Sequence, residues 1–221
     1  MYVEPNGRQS PRDPWSFRQT GVEHKYESST NRNMIILLHN NDEATAQETL
    51  EKHASSSNRY NLAAHPLNVH LVILSSYMVH WQSHIESLAQ SLQDIVSFST
   101  SDSFRWHSNV QRKHILVIDT QHSNFEAKQL QTLRNIEDKI VCRACRCLNS
   151  TKVLLETLIQ LNNNLPKTNP AFTEESASVD QQLQLINQRL EGHINSAETL
   201  ALRIQATLGL VSTNVLNYIL Y

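Results

Sequence analysis

Three cysteines close together in the sequence are the first residues whose types could support chemistry. Cys142, Cys145 and Cys147 are the whole cysteine content of the chain. A structural zinc site needs four ligands around a tetrahedron. A continuous helix turns by about 100° per residue, so Cys142 and Cys147 would point to different sides. Since no fourth ligand lies nearby in the sequence, we expect Cys147 in the core and Cys142 as a free thiol.

Two histidines, His80 and His84, have the four-residue spacing with which one helix face can bind zinc. Trp81 follows His80 where the zinc-protease motif has glutamate, and the chain has 11 histidines, so pairs arise by chance. We expect these two side chains to pack rather than bind an ion. The sequence therefore predicts no catalytic residue, no cofactor-binding residue, no metal site and no stoichiometric zinc.

Composition narrows the function classes further. The chain has four glycines and carries neither a Gly-x-Ser-x-Gly elbow nor a glycine-rich phosphate loop, so we expect no enzyme. The net charge is −2 and both signs are mixed along the chain, so the sequence shows no basic patch that would indicate nucleic-acid binding. Three cysteines form no disulfide framework, and the first 14 residues lack the apolar core of a signal peptide. These features predict a cytoplasmic protein.

Helical periodicity dominates the rest of the chain. Apolar residues recur in steps of three and four, which predicts long helices over residues 67–95, 124–165 and 180–221. Residues at the centres of these stripes should be buried: Leu74, Trp81, Leu88, Ile140 and Leu158. Two adjacent stripes on the second helix, one including Leu154 and Leu161, predict that it packs on two neighbours.

The last predicted helix is unusual in length. At roughly 40 residues it would extend about 60 Å, and its apolar face continues to the final residues. Residues 204–221 carry no charge but include too many polar side chains for a membrane span. We expect a stalk-like helix that continues, self-associates or docks on a membrane domain. Its candidate assembly face is formed by Ile204, Leu208, Val211, Val215 and Tyr218.

The other elements are predicted to be short. The sequence predicts a flexible tail over 1–14, a helix over 42–52, a polar loop over 97–113, and strands over 15–26, 33–40 and 114–119. The run from Met34 to Leu38 is typical of a buried strand. The expected fold is α+β, mostly α, with a domain over 15–165, a linker over 166–179 and the helix of 180–221. The alternative is a helical scaffold or interaction protein.

Four stretches, in order, resemble the fungal CorA-like magnesium transporter proteins. They are the segments from Asp13 to Val22 and from His65 to Trp81, then Leu130–Lys139, and finally Leu190–Thr207. The resemblance implies a cytosolic domain with a small α/β portion, antiparallel helices and a stalk leading to the first membrane helix. It also implies pentameric relatives and a Gly-Met-Asn motif at the pore mouth.

This chain departs from that pattern in ways that concern transport. It carries no Gly-Met-Asn and no pair of apolar spans, and Gln82-Ser83-His84 replaces the usual arginine and aromatics after Trp81. Glu23 stands where relatives usually have an aromatic residue. We therefore expect a family member truncated before its transmembrane helices, which does not transport alone. Magnesium enters only through the resemblance. The expected location is the cytoplasm, or the cytosolic face of a membrane if the chain is part of a full-length transporter.

Overall fold

The computed structural model describes residues 2–5, 14–27, 29–30, 32–39, 45–55, 62, 64–109 and 119–219. Side chains are left out of that description at residues 2, 39, 45–46, 98–109, 119–127 and 212–219. The described part is mostly helical with a small strand-bearing N-terminal part, which confirms the predicted fold class. Residues 114–118 of the strand predicted over 114–119 and residues 42–44 of the helix predicted over 42–52 lie outside the described residues, and Asp119 is helical.

Two antiparallel hairpins form the N-terminal part. Strands β1 (Tyr2–Pro5) and β2 (Trp15–Arg18) pair with each other, and β3 (Thr20–Glu27) pairs with β4 (Arg32–His39). The single strand predicted over 15–26 is therefore two strands, separated at Gln19. Each strand finds its partner nearby in the sequence, as hairpins do.

Strand β1 corrects the prediction that residues 1–14 form a flexible tail. Val3 is almost completely buried, and its partner across the hairpin is Phe17. Pro5 has no N–H to donate, and β1 tolerates it because each strand of a two-stranded sheet is an edge strand. The nearby prolines suggested a tail, whereas one buried valine with a paired partner is enough to hold a four-residue strand. Residues 6–13 lie outside the described part.

Strand β4 is not buried on both faces as its apolar run suggested. Met34, Ile36 and Leu38 are 50%, 41% and 64% exposed, while Ile35 and Leu37 between them are half-buried. Successive side chains of a strand point to opposite faces. The described sheet has two strands, so one face packs inward and the other stays exposed.

The first predicted long helix is divided. Helix α1 spans Thr45–Ser55, α2 spans Asn68–Met78 and α3 spans Trp81–Asn109, with a turn at 79–80. Val79 keeps helical backbone angles, so the break is local. Neither proline nor glycine lies at this turn, and the periodicity passes through it unchanged. The predicted loop over 97–113 is also wrong for 97–109, because this polar stretch contains no residue that breaks a helix.

The second predicted helix begins earlier and changes its winding. Helix α4 (Asp119–Glu137) runs into a π-helical segment, Asp138–Cys145, and then into α5 (Arg146–Thr168). Pro166 lies inside α5 instead of ending the helix at Leu165. A proline removes its own N–H but not those of later residues, and the Asn169 N–H still reaches the Leu165 carbonyl at 2.8 Å.

The stripe that contains Leu154 and Leu161 is buried at most of its positions, such as Ile140, Ala144 and Leu158, whereas these two leucines are exposed. These two side chains are 48% and 49% exposed. The buried side of α5 is formed by Cys147, Leu148, Leu155, Leu158 and Asn162. A sequence stripe reports apolar character only, and burial requires a neighbouring element on that side.

The last helix, α6, spans Thr173–Ile219 and begins seven residues before the predicted start at Asp180. The predicted linker over 166–179 is therefore helical for most of its length. A 3₁₀ turn at Pro170–Phe172 leads directly into α6, and the Asn169 side chain accepts a hydrogen bond from the Ala171 N–H at 3.2 Å. Pro170 and the lack of periodicity suggested a linker, yet asparagine and proline also occur at helix starts.

The chain divides into two compact units. The first comprises Met1–His84 and Cys147–His193, and the second comprises Ile85–Arg146 and Ile194–Tyr221. The first core includes Leu67, Leu71, Leu74, Tyr77, Trp81, Leu148, Leu155, Leu158, Phe172, Leu183 and Leu190. The second core includes Leu88, Leu92, Leu133, Ile136, Ile140, Ala144, Ala197, Leu200 and Ile204. All five residues predicted at stripe centres are buried, which confirms that prediction.

Helix α2 is the most deeply buried element of the first unit. Eight of its 11 residues are buried, on all sides of the helix. A helix that is apolar all round belongs to a core rather than to a surface. Among the helices that the structure describes, none contains a stretch long and apolar enough to cross a membrane.

Candidate functional site

An aromatic cluster surrounds His84, one of the two histidines with the four-residue spacing. Strand β2 presents Trp15 and Phe17 on the same face, because residues two apart share a face of a strand. The His84 ring is almost completely buried, and its centroid lies 5.4 Å from that of Trp15 and 5.3 Å from that of Phe17. Trp81 also contacts this ring edge-on at 6.1 Å.

His80 shares this environment. Its ring lies 6.4 Å from the Trp15 indole, so His80 and His84 both pack on the same side chain. Such ring contacts place the imidazoles by packing, and they bury apolar area that contributes to stability. Among the described residues, including these two histidines, no group of three or more His, Cys, Asp or Glu side chains is arranged to hold a metal ion.

A hydrogen-bonded chain of three side chains joins β3, β4 and α2. The Nδ1 of His24 lies 2.9 Å from the Nε2 of His70, and the Nε2 of His24 lies 3.0 Å from the Oδ1 of Asn33. The two imidazole centroids are 5.0 Å apart and the rings are tilted by 48°. Strand β3 supplies His24, strand β4 supplies Asn33, and the buried helix α2 supplies His70.

Only one hydrogen bond of this chain has a defined direction. The Oδ1 of Asn33 only accepts, so the Nε2–H of His24 donates to it. In the bond between the two rings, the donor depends on the tautomers. Burial, with a smaller contribution from the nearby His24, lowers the pKa of His70 to about 4. The low pKa of His70 keeps its ring neutral near pH 7.

A second buried histidine connects distant parts of the first unit. The Leu67 N–H donates to the Nδ1 of His65 at 3.2 Å, so the proton of this ring is on Nε2. That Nε2–H donates to the Oγ of Ser176 at 3.1 Å. Asn162 on α5 donates from Nδ2 to the backbone carbonyl of Ser176 at 2.9 Å. Ser176 in the second turn of α6 thus joins α5 to the segment before α2.

The surroundings of His65 favour its neutral form. Its ring contacts Phe172 with centroids 5.4 Å apart, and Phe172 in turn contacts Tyr26 of β3 at 5.8 Å. Burial lowers the pKa of His65, and the negative charge of Glu175 opposes that effect. Because both ring nitrogens already have partners, the neutral imidazole fits this site without further change.

The three cysteines lie at the end of the π-helical segment and the start of α5. Cys142 is exposed, Cys145 is half-exposed and Cys147 is buried, and all three are free thiols. The expectations for Cys142 and Cys147 are confirmed. Burial raises the pKa of both Cys145 and Cys147, and Glu198 raises that of Cys145 further. A raised pKa means less thiolate at neutral pH, which makes these two thiols less reactive.

The candidate assembly face of α6 is only partly available for assembly. Ile204 is fully buried within the second unit, and Leu208 and Val211 are half-buried. Ile204 therefore belongs to a core rather than to a free face. The side chains of Val215 and Tyr218 lie outside the described residues, so their role stays a prediction from the periodicity.

Sequence reasoning did not single out His24, His65, His70 or Ser176 as a connected set. His65 and Ser176 are 111 residues apart and His24 and His70 are 46 apart. No local spacing encodes a pairing over such distances. The one available signal was the number of histidines in and just before the predicted strands and the first predicted helix.

Comparison with known proteins gives one family relation. Residues 2–99 match the family model described as CorA-like, for CorA-like transporters. This match covers both hairpins, α1, α2 and the first part of α3, and it supports a relation to the CorA-like metal transporters. Searches of curated proteins and of solved structures found no significant match.

Proposed function

We propose that this chain is a cytosolic domain related to the CorA-like magnesium transporters, and that it acts by assembly rather than as a pore. The observation that carries the proposal is the family match over residues 2–99. The resemblance in the later helices extends the same reading beyond the matched region. Its proposed place is the cytosolic face of a membrane, where it would pack on further copies or on a membrane domain.

The long last helix supports this role. Helix α6 has 47 residues, which corresponds to about 70 Å at the usual rise. Its apolar periodicity continues beyond Ile204, the last residue of the helix that is buried within the described chain. Residues of the same stripe beyond that point have less intrachain packing, since Leu208 and Val211 are half-buried. We infer that the segment from Leu208 onward forms the assembly face.

The first experiment compares assembly with folding. Leu208, Val211 and Val215 are replaced together by glutamate, and sedimentation velocity is compared with far-ultraviolet circular dichroism. We expect the wild-type chain to sediment as an oligomer and the variant to sediment as a folded monomer. Each apolar side chain withdrawn from water contributes about 25 cal/mol per Å² of buried area, which charges at these positions would remove.

The control uses leucines on another side of the same helix. Leu202 and Leu210 are 67% and 69% exposed, and their replacement by glutamate should leave both sedimentation and helicity unchanged. If the wild-type chain sediments as a monomer, the assembly role is wrong. If the triple variant loses its helicity, the segment stabilises the fold itself, and a projecting assembly face is wrong.

The second experiment addresses transport. The purified chain is added to liposomes loaded with a magnesium-sensitive dye, with a pore-forming ionophore as the positive control. We expect no magnesium flux from the chain alone. Measurable flux would contradict the proposal that it acts without forming a pore.

The second candidate function is a helical scaffold or interaction protein that is derived from the CorA-like domain and has no transport role. The exposed apolar residues of α5, Leu154 and Leu161, favour it, because such side chains are available to a partner. Coexpression with a CorA-like membrane domain separates the two. Co-purification of the membrane domain that depends on Leu208 and Val211 supports the transporter relation. If neither the membrane domain nor a second copy of the chain co-purifies, the scaffold is supported.

A further inference from the structure

One face of the β3–β4 hairpin carries an apolar row that is open to solvent. Met34, Ile36 and Leu38 of β4 are exposed, and they share this face because residues two apart point to the same side of a strand. We propose that this outer face, formed by these three residues with Glu23 and Lys25 of β3, binds a second copy of the same chain across a two-fold axis. The inference does not depend on the proposed function, because it concerns a surface of the hairpin rather than the last helix.

Strand β3 sets two opposite charges beside the apolar row. The register pairs Glu23 with Ile36 and Lys25 with Met34, and directly opposite residues of an antiparallel pair share a face of the sheet. Both charged side chains are exposed. Within the described part of the chain, neither of them forms an ion pair. The outer face therefore presents one negative and one positive charge next to exposed apolar side chains.

These positions make the outer face complementary to itself. In a two-fold interface the same patch meets its own copy, so each contact between two different residues occurs twice. An axis that lies between the two sheets and crosses the strands midway between Glu23 and Lys25 brings Lys25 of each copy to Glu23 of the other. The same axis brings Met34 of each copy to Ile36 of the other. One operation thus pairs apolar side chains with apolar ones and each charge with its opposite.

The ends of the outer face fit the same arrangement. The axis sets Arg32 of one copy opposite Leu38 of the other, and Glu27 opposite Gly21. The aliphatic stem of an arginine can cover apolar surface while its charge stays in water. Gly21 lies against the Leu38 side chain and has no side chain of its own, which leaves space for Glu27. No two like charges lie directly opposite each other.

The composition and size of the outer face define the kind of contact. A lipid surface fits it less well than a second copy, because lipid would remove Glu23 and Lys25 from water without pairing them. Two strands of eight residues cover about 27 Å by 10 Å. This area is well below the roughly 800 Å² per partner of a standard stable interface. We therefore expect a weak dimer that forms at high protein concentration.

Sedimentation velocity of full-length variants at increasing concentration tests the proposal. The background is the variant with Leu208, Val211 and Val215 replaced by glutamate, so that contacts through α6 do not contribute. We expect this variant to be monomeric at low concentration and to approach a dimer as the concentration rises. Ile36→Glu added to it should weaken the dimer at least tenfold, whereas Val79→Glu, at an exposed apolar position outside the hairpin, should leave it unchanged.

Two charge reversals in the same background give a test that a loss of folding cannot imitate. Glu23→Lys and Lys25→Glu should each weaken the dimer about tenfold, because each sets like charges opposite each other. An equal mixture of the two variants should restore the dimer, since every charge then faces its opposite. Circular dichroism checks that each variant keeps its fold.

A second measurement uses the wild-type chain, so it does not require the α6 variant to fold. A carbodiimide joins amines to carboxylates that are in contact. An equal mixture of isotope-labelled and unlabelled chain should give a cross-link of mixed mass between Lys25 and Glu23, which only contact between copies produces. Absence of this mixed cross-link, or a mixture of the two charge variants that associates no better than each alone, overturns the docking surface. Neither result bears on assembly through α6.

Discussion

The Nε2 of His65 donates to the Oγ of Ser176 at 3.1 Å, and both residues are buried although 111 residues separate them in the sequence. This contact links the segment before α2 to the beginning of α6. The Asn162 side chain also donates a hydrogen bond to the backbone carbonyl of Ser176. Buried polar groups are costly when they lose a partner, so this small network fixes how the elements of the first unit meet.

The His65 contact predicts a stability that depends on pH. Burial lowers the pKa of folded His65 below its ordinary value of about 6.5. The contribution of neutral His65 to the free energy of unfolding is therefore complete above pH 6.5. It is lost as the pH falls below 6.5, because the unfolded chain takes up the proton more readily. His65→Asn keeps an acceptor for the Leu67 N–H but does not titrate. Urea unfolding at pH 7.5 and 5.5 should show a smaller pH effect in this variant.

The cost of losing the contact itself is predicted at pH 7.5. Ser176→Ala leaves the Nε2–H of His65 without its acceptor, and a buried donor without a partner costs about 1–3 kcal/mol. Urea denaturation should show a loss of this size. Ser178→Ala, an exposed neighbour on α6, is the control and should change stability little. Equal effects of both substitutions would contradict the role assigned to Ser176.

His70 should titrate well below the usual range for histidine. Burial is the larger cause of its pKa of about 4, and the neighbouring His24 is the smaller one. Nuclear magnetic resonance titration should show the His70 ring neutral at pH 5.5, with protonation centred near pH 4. In His24→Gln the smaller cause is removed, so the His70 pKa should rise but stay below 6.5. A midpoint near 6.5 in the wild-type chain would contradict the burial of this ring.

Periodicity predicted the helices and their buried centres, but not where the winding changes. Trp81, Leu88 and Ile140 are buried as expected because a stripe identifies the apolar side of any helix. The turn at 79–80 and the π-helical segment leave the spacing of apolar residues almost unaltered. Both depend on contacts with other elements, which a single segment of sequence does not contain.

The candidate histidine sites were out of reach for a related reason. The packing of the β3–β4 hairpin on α2 brings His24 to His70. The packing of α6 brings Ser176 to His65. Sequence analysis could detect the metal-binding spacing of His80 and His84, but both rings pack on Trp15 instead. The sequence shows the spacing of residues along one helix, whereas only the folded structure shows which residues of different elements lie close together.

The π-helical segment predicts a contrast between two neighbouring substitutions. Arg143 and Asp138 are five residues apart and form an ion pair of 3.1 Å, as the wider winding of this segment allows. Both side chains are about half exposed, so Asp138→Ala should cost no more than about 1 kcal/mol. Ile140 is fully buried in the second unit, and Ile140→Ala should cost about 2–5 kcal/mol.

Urea unfolding followed by circular dichroism measures both effects. Lys139→Ala, which changes a half-buried side chain beside Ile140, controls for altered helix propensity. A large loss in Asp138→Ala would mean that the ion pair, rather than the buried isoleucine, holds this segment in place.

Thiol labelling should distinguish the three cysteines by burial. With a disulfide reagent at pH 7.5, we expect Cys142 to react first because it is exposed, and Cys145 more slowly because burial and Glu198 raise its pKa. Cys147 is buried and its pKa is also raised, so it should react only when its surroundings open. Cys142→Ser should remove the fast phase alone, and Cys147→Ser the slowest. Adding urea below the unfolding midpoint should accelerate the Cys147 phase most. Rapid labelling of all three thiols in the native chain would contradict the placement of Cys147 in the core.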